Sequence, residues 1–140
     1  MLNKDVAKSL QKRNPVSDEM YEAISLWNDL YLGKASWLTG KNNQSLCLPS
    51  AIASEIARMV TVEMEVTING SPRADYLQEQ IAPFLAGIRS HVEYACATGG
   101  IVFKPYIDGE GISIDCVRTS AFFPLAFNSK GEITSAAFVE

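Results

Sequence analysis

The stretch Y-A-C-A-T-G-G-I-V-F-K-P-Y-I-D-G-E-G-I-S-I-D-C, residues 94–116, decides how this chain is read. Its first part continues a helical pattern into Gly99-Gly100, where glycine gives the backbone access to the left-handed conformation that ends a helix. Two alternating runs follow, 101–107 and 112–116, separated by the turn residues Asp108-Gly109-Glu110-Gly111. A helix feeding a hairpin predicts an α+β fold, with several helices packed against a mostly antiparallel sheet and a β-hairpin at about 101–117. Gly99, Gly100, Lys104, Pro105 and Tyr106 form the structural joint between the two halves. Proline cannot donate to a ladder, so Lys104-Pro105-Tyr106 reads as an edge-strand device.

Working back from that joint, Phe84, Leu85, Ile88, Val92, Ala95 and Cys96 continue one apolar helical face, and Pro83 forces a kink or restart before it. Ser71 is a candidate cap with Pro72 at the first helical position. Between residues 60 and 69, Val60, Val62, Met64, Val66 and Ile68 alternate with Thr61, Glu63, Glu65, Thr67 and Asn69, the pattern of a half-buried strand. Before it, Pro49 suits a helix start, and Ile52, Ile56 and Met59 mark the expected buried stripe beside the small Ala51, Ala53 and Ala57.

Further upstream, Ser17 or Asp18 caps a helix whose apolar stripe is Met20, Ile24, Trp27 and Tyr31, and Gly33 stops it. Trp27 and Tyr31 are read as core or as packing against a subunit neighbour. Residues 1–17 form an N-terminal arm, with Leu2, Val6 and Leu10 beside Lys4, Lys8, Lys12 and Arg13, and an arm this short frays readily. Residues 18–140 are read as a single α+β domain.

Downstream of the hairpin, Phe122, Phe123 and Phe127 around Pro124 read as a buried, irregular crossing. Phe122 and Phe123 share the core-or-interface reading of Trp27 and Tyr31. Asn128-Ser129-Lys130-Gly131 is a turn, and a strand opens at Ile133 and is still apolar where the sequence stops. The chain therefore reads as a fragment of a longer polypeptide.

Composition limits the function classes. Among 140 residues, 16 acidic side chains outweigh 12 basic ones for a net charge of −4, which argues against a dedicated grip on nucleic acid. No run reaches the roughly 18 apolar residues of a membrane helix, and the N-terminus lacks a signal-peptide pattern. Three scattered cysteines, an odd number, suit a reducing cytoplasm and are read as small hydrophobes.

No catalytic, cofactor-binding or metal residue is assigned. Gly40-Lys41 lacks the rest of a phosphate loop, and Gly99-Gly100 ends a helix where a dinucleotide loop would start one. Glu63 and Glu65 have no third ligand nearby, and Asp108-Gly109 lacks the alternating oxygens of a calcium loop. The single histidine, His91, has no cysteine or histidine at zinc-ligand spacing. An enzyme or small-ligand domain would need His91, Cys96 and Asp115 to converge on one pocket.

Five segments taken in order carry a family resemblance. They are W-N-D-L-Y-L-G at 27–33, L-P-S-A-I-A-S-E-I-A-R-M-V-T-V-E at 48–63, V-E-Y-A-C-A-T-G-G-I-V-F-K-P-Y at 92–106, I-S-I-D-C-V at 112–117 and F-F-P-L-A-F-N-S-K-G-E-I-T-S-A-A-F at 122–138. Their order and spacing resemble the N-terminal, wing-like region of portal proteins from tailed bacteriophages and prophages. The resemblance implies a non-enzymatic structural subunit without a cofactor, made in the bacterial cytoplasm and resident at the portal vertex of the virion. It implies a homo-oligomeric ring, commonly a dodecamer, with capsid protein, terminase and tail-connector proteins as partners. Double-stranded DNA passes through such a ring without sequence recognition, and no membrane is involved. Another virion or prophage interaction protein built on the same domain is the neighbouring alternative.

Overall fold

The computed structural model describes residues 16–38, 44–109 and 111–139. Residues 1–15 of the expected arm, and Gly40-Lys41, lie outside the described residues.

The fold is α+β: among the described residues, four helices are followed by two antiparallel hairpins. Helix α1, Asp18–Tyr31, begins where expected, with the Ser17 hydroxyl accepting a hydrogen bond from the Met20 amide. Gly33, at φ 67°, lets the chain leave the helix, and a short 3-10 turn covers Ser36–Leu38. Helix α2, Leu48–Thr61, carries Pro49 in its first turn, where a missing N–H leaves no bond unmade. Helix α3, Ala74–Ala86, includes Pro83 in its last turn, and Gly87 both ends α3 and starts α4, Ile88–Thr98. The restart predicted at Pro83 thus falls at Gly87. Ser71 caps less directly than expected, since its hydroxyl accepts from the Arg73 amide while α3 begins at Ala74.

Helix α4 ends on Gly99 in the left-handed conformation, φ 86°, and the chain enters β1, Ile101–Ile107, at once. Thr98 is fully buried at this point, and its hydroxyl donates 2.9 Å to the Tyr94 carbonyl and lies 3.4 Å from the Gly100 carbonyl. Strand β2, Ile112–Arg118, pairs antiparallel with β1 from Ile101 opposite Arg118 to Ile107 opposite Ile112. The connecting turn is closed by Asp108, whose carboxylate accepts from the Gly111 amide and the Ser113 hydroxyl. The Gln80 amide lies against Gly111, so a side chain there would have to displace it.

A 3-10 turn at Thr119–Ala121 leads to β3, Phe122–Phe127, which pairs with β4, Ile133–Phe138, across a turn organised by the Asn128 side chain. The expected irregular crossing at 122–127 is therefore a strand, with register shifts around Ala126 and Pro124 opposite Ala136. Strand β4, which opens at Ile133 as expected, supplies the partner, and the irregularity absorbs the proline.

The alternating run 60–69 does not form a strand. Helix α2 extends to Thr61, and residues 64–69 have no regular secondary structure. The amide of Gln78 takes the place of a neighbouring strand: its Oε1 accepts from the Ile68 amide at 3.0 Å and its Nε2 donates to the Val66 carbonyl at 2.9 Å. An alternating pattern becomes a strand only when another strand meets its edge.

Packing also reverses the expected faces of α2. The alanines Ala53 and Ala57 are the buried residues, close against α4, whereas Ile52, Ile56 and Met59 face outward. Small side chains shorten the distance between two helices, so the alanine face wins the interior and the bulky residues are turned away. Ala57 is 0% exposed, so Ala57→Leu would force the two helices apart. It should destabilise the protein by about 1–3 kcal/mol, read as a lowered urea midpoint with an unchanged slope.

Candidate functional site

Three surface features follow from this packing. The first is a polar clamp joining α1 to α4. Asn28 and Tyr31 sit three residues apart on one face of α1, opposite the adjacent Glu93 and Tyr94. The Tyr31 hydroxyl donates to Glu93 Oε1 at 2.8 Å, and the Tyr94 hydroxyl donates to Asn28 Oδ1 at 3.0 Å. The two rings meet edge to face at 6.0 Å, and the Arg118 guanidinium lies over the Tyr94 ring at 4.9 Å. Burial raises the Tyr31 phenol above its ordinary value, and its hydrogen bond to the Glu93 carboxylate raises it further.

The second feature is apolar. Leu48, Ile52, Ile56 and Met59 recur at four, four and three residues, so they line one side of α2 next to its alanine face. Ile52 is 59% exposed and Met59 58%. Between this stripe and α4 runs a shallow groove of about 330 Å³ bounded by Leu48, Pro49, Ile52, Ile56 and Cys96.

The third is an open groove of about 530 Å³ between α3 and β2, where Glu79, Asp108 and Asp115 stand beside Phe84 and Tyr106. The Gln80 side chain crosses one end and accepts from the Ile112 amide at 2.9 Å.

The structure spreads the residues that an active site would have needed. His91 stacks on Phe84 at 5.7 Å and meets the edge of Phe103 at 6.4 Å. Cys96 opens onto the apolar groove and Asp115 onto the acidic one. Among the described residues, no group of three or more His, Cys, Asp and Glu side chains is placed to hold a metal ion. The cysteines also depart from expectation. Cys47 and Cys96 are exposed and Cys116 is half-buried, so only the last resembles a core hydrophobe. Cys47 adopts a left-handed backbone, φ 50°, just ahead of α2, with its amide donating to the Ser45 hydroxyl.

The residues of the joint and the aromatic positions fall into several environments. Trp27 covers the joint, with its ring 3.5 Å from where a Cβ on Gly99 would stand. Phe123 is a core residue, stacked on Tyr21 at 5.9 Å, and Phe122 packs on Phe138 at 5.5 Å. Lys104 reaches across to the other hairpin, its Nζ 5.5 Å above the Phe138 ring, while Pro105 lies opposite Ile114. Tyr31 is engaged within the chain through Glu93. The outward side of α2 and the surroundings of Arg118 were not singled out by the sequence, and only the doubled apolar pattern of α2 carried a signal.

Comparison with protein-family models, with curated proteins and with solved structures returns no match.

Two measurements probe the clamp and the thiols. The folded state holds the Tyr31 proton more tightly than the unfolded chain, so this group's stability contribution is present below pH 10 and is lost as pH rises through the raised value. Tyr31→Phe should cost about 1 kcal/mol near neutrality and shrink the fall in Tm above pH 10. With an aromatic disulfide reagent at pH 8, Cys47 and Cys96 should react in a fast phase and Cys116 in a slow one. Burial first, and Asp115 second, raise the Cys116 thiol and lower its thiolate fraction.

Proposed function

We propose that this chain is a structural assembly module, the wing-like N-terminal region of a tailed-phage or prophage portal protein. The observation that carries the reading is the outward stripe of α2, Leu48, Ile52, Ile56 and Met59, exposed beside a groove with few polar groups. An apolar face of that kind is the usual mark of a surface that meets another protein. The five ordered sequence segments, with the joint at Gly99-Gly100 among them, supply the family. The helix-to-hairpin joint and the α+β fold are what that resemblance implies for a wing.

In this reading the chain performs no chemistry. Copies associate head to tail in a closed ring, which requires two different surfaces on each subunit. The α2 face is one of them. The net charge of −4 suits a component past which DNA moves without being held. Capsid protein, terminase and tail-connector proteins meet the assembled ring.

Electron microscopy of the natural full-length protein tests this directly: rings support the reading, and a monodisperse monomer sinks it. The α2 face has its own test. Ile52→Glu alters an exposed side chain, so the change in Tm should correspond to less than about 0.5 kcal/mol. Self-association measured by sedimentation velocity should nevertheless weaken at least about tenfold, the expected loss for an anchor residue at an interface. Unchanged association would remove α2 from the interface.

A further inference from the structure

A cleft of about 270 Å³ opens between α1 and the end of β2, and its lining is the opposite in charge of the α3–β2 groove. Arg118, Asn28, Ser25 and Ser120 supply its polar groups, and Ile24 and Tyr94 form walls. No carboxylate lines it, although the chain carries a net charge of −4 and the α3–β2 groove holds Glu79, Asp108 and Asp115.

The donors are held in place by contacts already described. The guanidinium of Arg118 rests over the Tyr94 ring, which restrains it without using its N–H groups. Among the described residues the ion pair is the one between Arg58 and Glu55, so no described carboxylate pairs with the Arg118 fork. Asn28 Oδ1 is occupied by the Tyr94 hydroxyl. That bond fixes which way the amide faces and leaves its NH2 as a donor. Glu93, the acid of the clamp, accepts from Tyr31 and is not among the residues lining the cleft. A cation, an amide NH2 and two hydroxyls therefore converge beside an aliphatic and an aromatic wall.

The geometry points to a binding site for a single carboxylate attached to a small apolar body. A guanidinium fork matches the two oxygens of a planar carboxylate, and one positive charge balances one negative charge. A phosphate dianion would need a second cation, which the cleft does not supply. At about 270 Å³ the cleft lies just below the usual range for drug-sized ligands, so the group it takes is the size of one side chain or a small acid.

Titration of the 15N-labelled chain with benzoate, benzamide and inorganic phosphate tests this assignment. Benzoate should shift the Arg118 Nε–H and Asn28 side-chain amide signals saturably, while the other two leave them in place. Arg118→Gln should weaken benzoate binding at least tenfold. Asn28→Asp keeps the acceptor for Tyr94 but places a negative charge in the cleft, and should have the same effect with an unchanged circular dichroism spectrum. Equal responses to benzoate and benzamide, or tighter binding of phosphate, would overturn the site, as would an unaltered affinity in a folded Asn28→Asp variant. An acetylated, amidated peptide with one glutamate distinguishes the source. If the peptide binds more tightly than benzoate, the carboxylate arrives on a protein. If benzoate binds more tightly, it arrives as a free acid, and binding of neither refutes the proposal.

Discussion

The hydroxyl of Thr98 is the small contact through which the helical part of this protein is fastened to its first hairpin. A buried hydroxyl without an acceptor would cost about 1–3 kcal/mol, so the side chain is tolerated there only because it bonds to the end of its own helix. It reaches the Tyr94 carbonyl one turn back and lies close to the Gly100 carbonyl just beyond the helix end. The left-handed Gly99 makes this possible by bringing Gly100 back toward the last turn. Trp27 of α1 then closes over Gly99. Helix end, strand start and a second helix thus depend on one another within three residues.

From that joint the remaining packing spreads unevenly. Helix α4 carries α2 on the alanine face, α1 through the tyrosine clamp, and α3 end to end through Gly87. Phe84 and His91 stack across the Gly87 break, so the two helices hold their relative direction through side chains as well as through the backbone. Close approach at Ala53 and Ala57 buries little volume. Ala35, Ala53, Ala57, Phe123 and Pro124 are buried apolar residues among those described. Several larger apolar side chains lie exposed along α2 and at the preceding Leu46. An assembly reading gives those side chains a physical role, because a surface that is costly to leave wet contributes favourably when a neighbour covers it.

Much of the local structure was legible in the sequence because the signals are chemical and short in range. Ser17, Gly33, Pro49 and Gly99 mark helix boundaries through capping, handedness and a missing N–H. Asp108 and Asn128 close turns through their own side chains. What was not legible required a distant partner. Val60, Val62, Met64, Val66 and Ile68 carry a strand's alternation, yet the helix runs on to Thr61 and no strand meets the rest. Phe122 to Phe127 lacked a convincing pattern, yet β4 makes them a strand. On α2 the periodicity identified an apolar helix correctly but did not say which of two apolar faces was inside. Of the surface sites, Asn28, Tyr94 and Arg118 come together only in three dimensions, from sequence positions as far as 90 residues apart (118 − 28).

Gln78 shows how little material can stand in for a strand. One primary amide offers a donor and an acceptor on a single rigid plane, and so does one peptide unit. By bonding both Val66 and Ile68, it reads two residues of extended chain as a neighbouring peptide would. The registry of that segment is consequently written in a side chain, where a single atom holds the information. Glutamate has the same shape but accepts at both oxygens when ionised, so it could take the Ile68 amide and would face the Val66 carbonyl with a second acceptor. At this position the difference between nitrogen and oxygen separates a held ribbon from a loop.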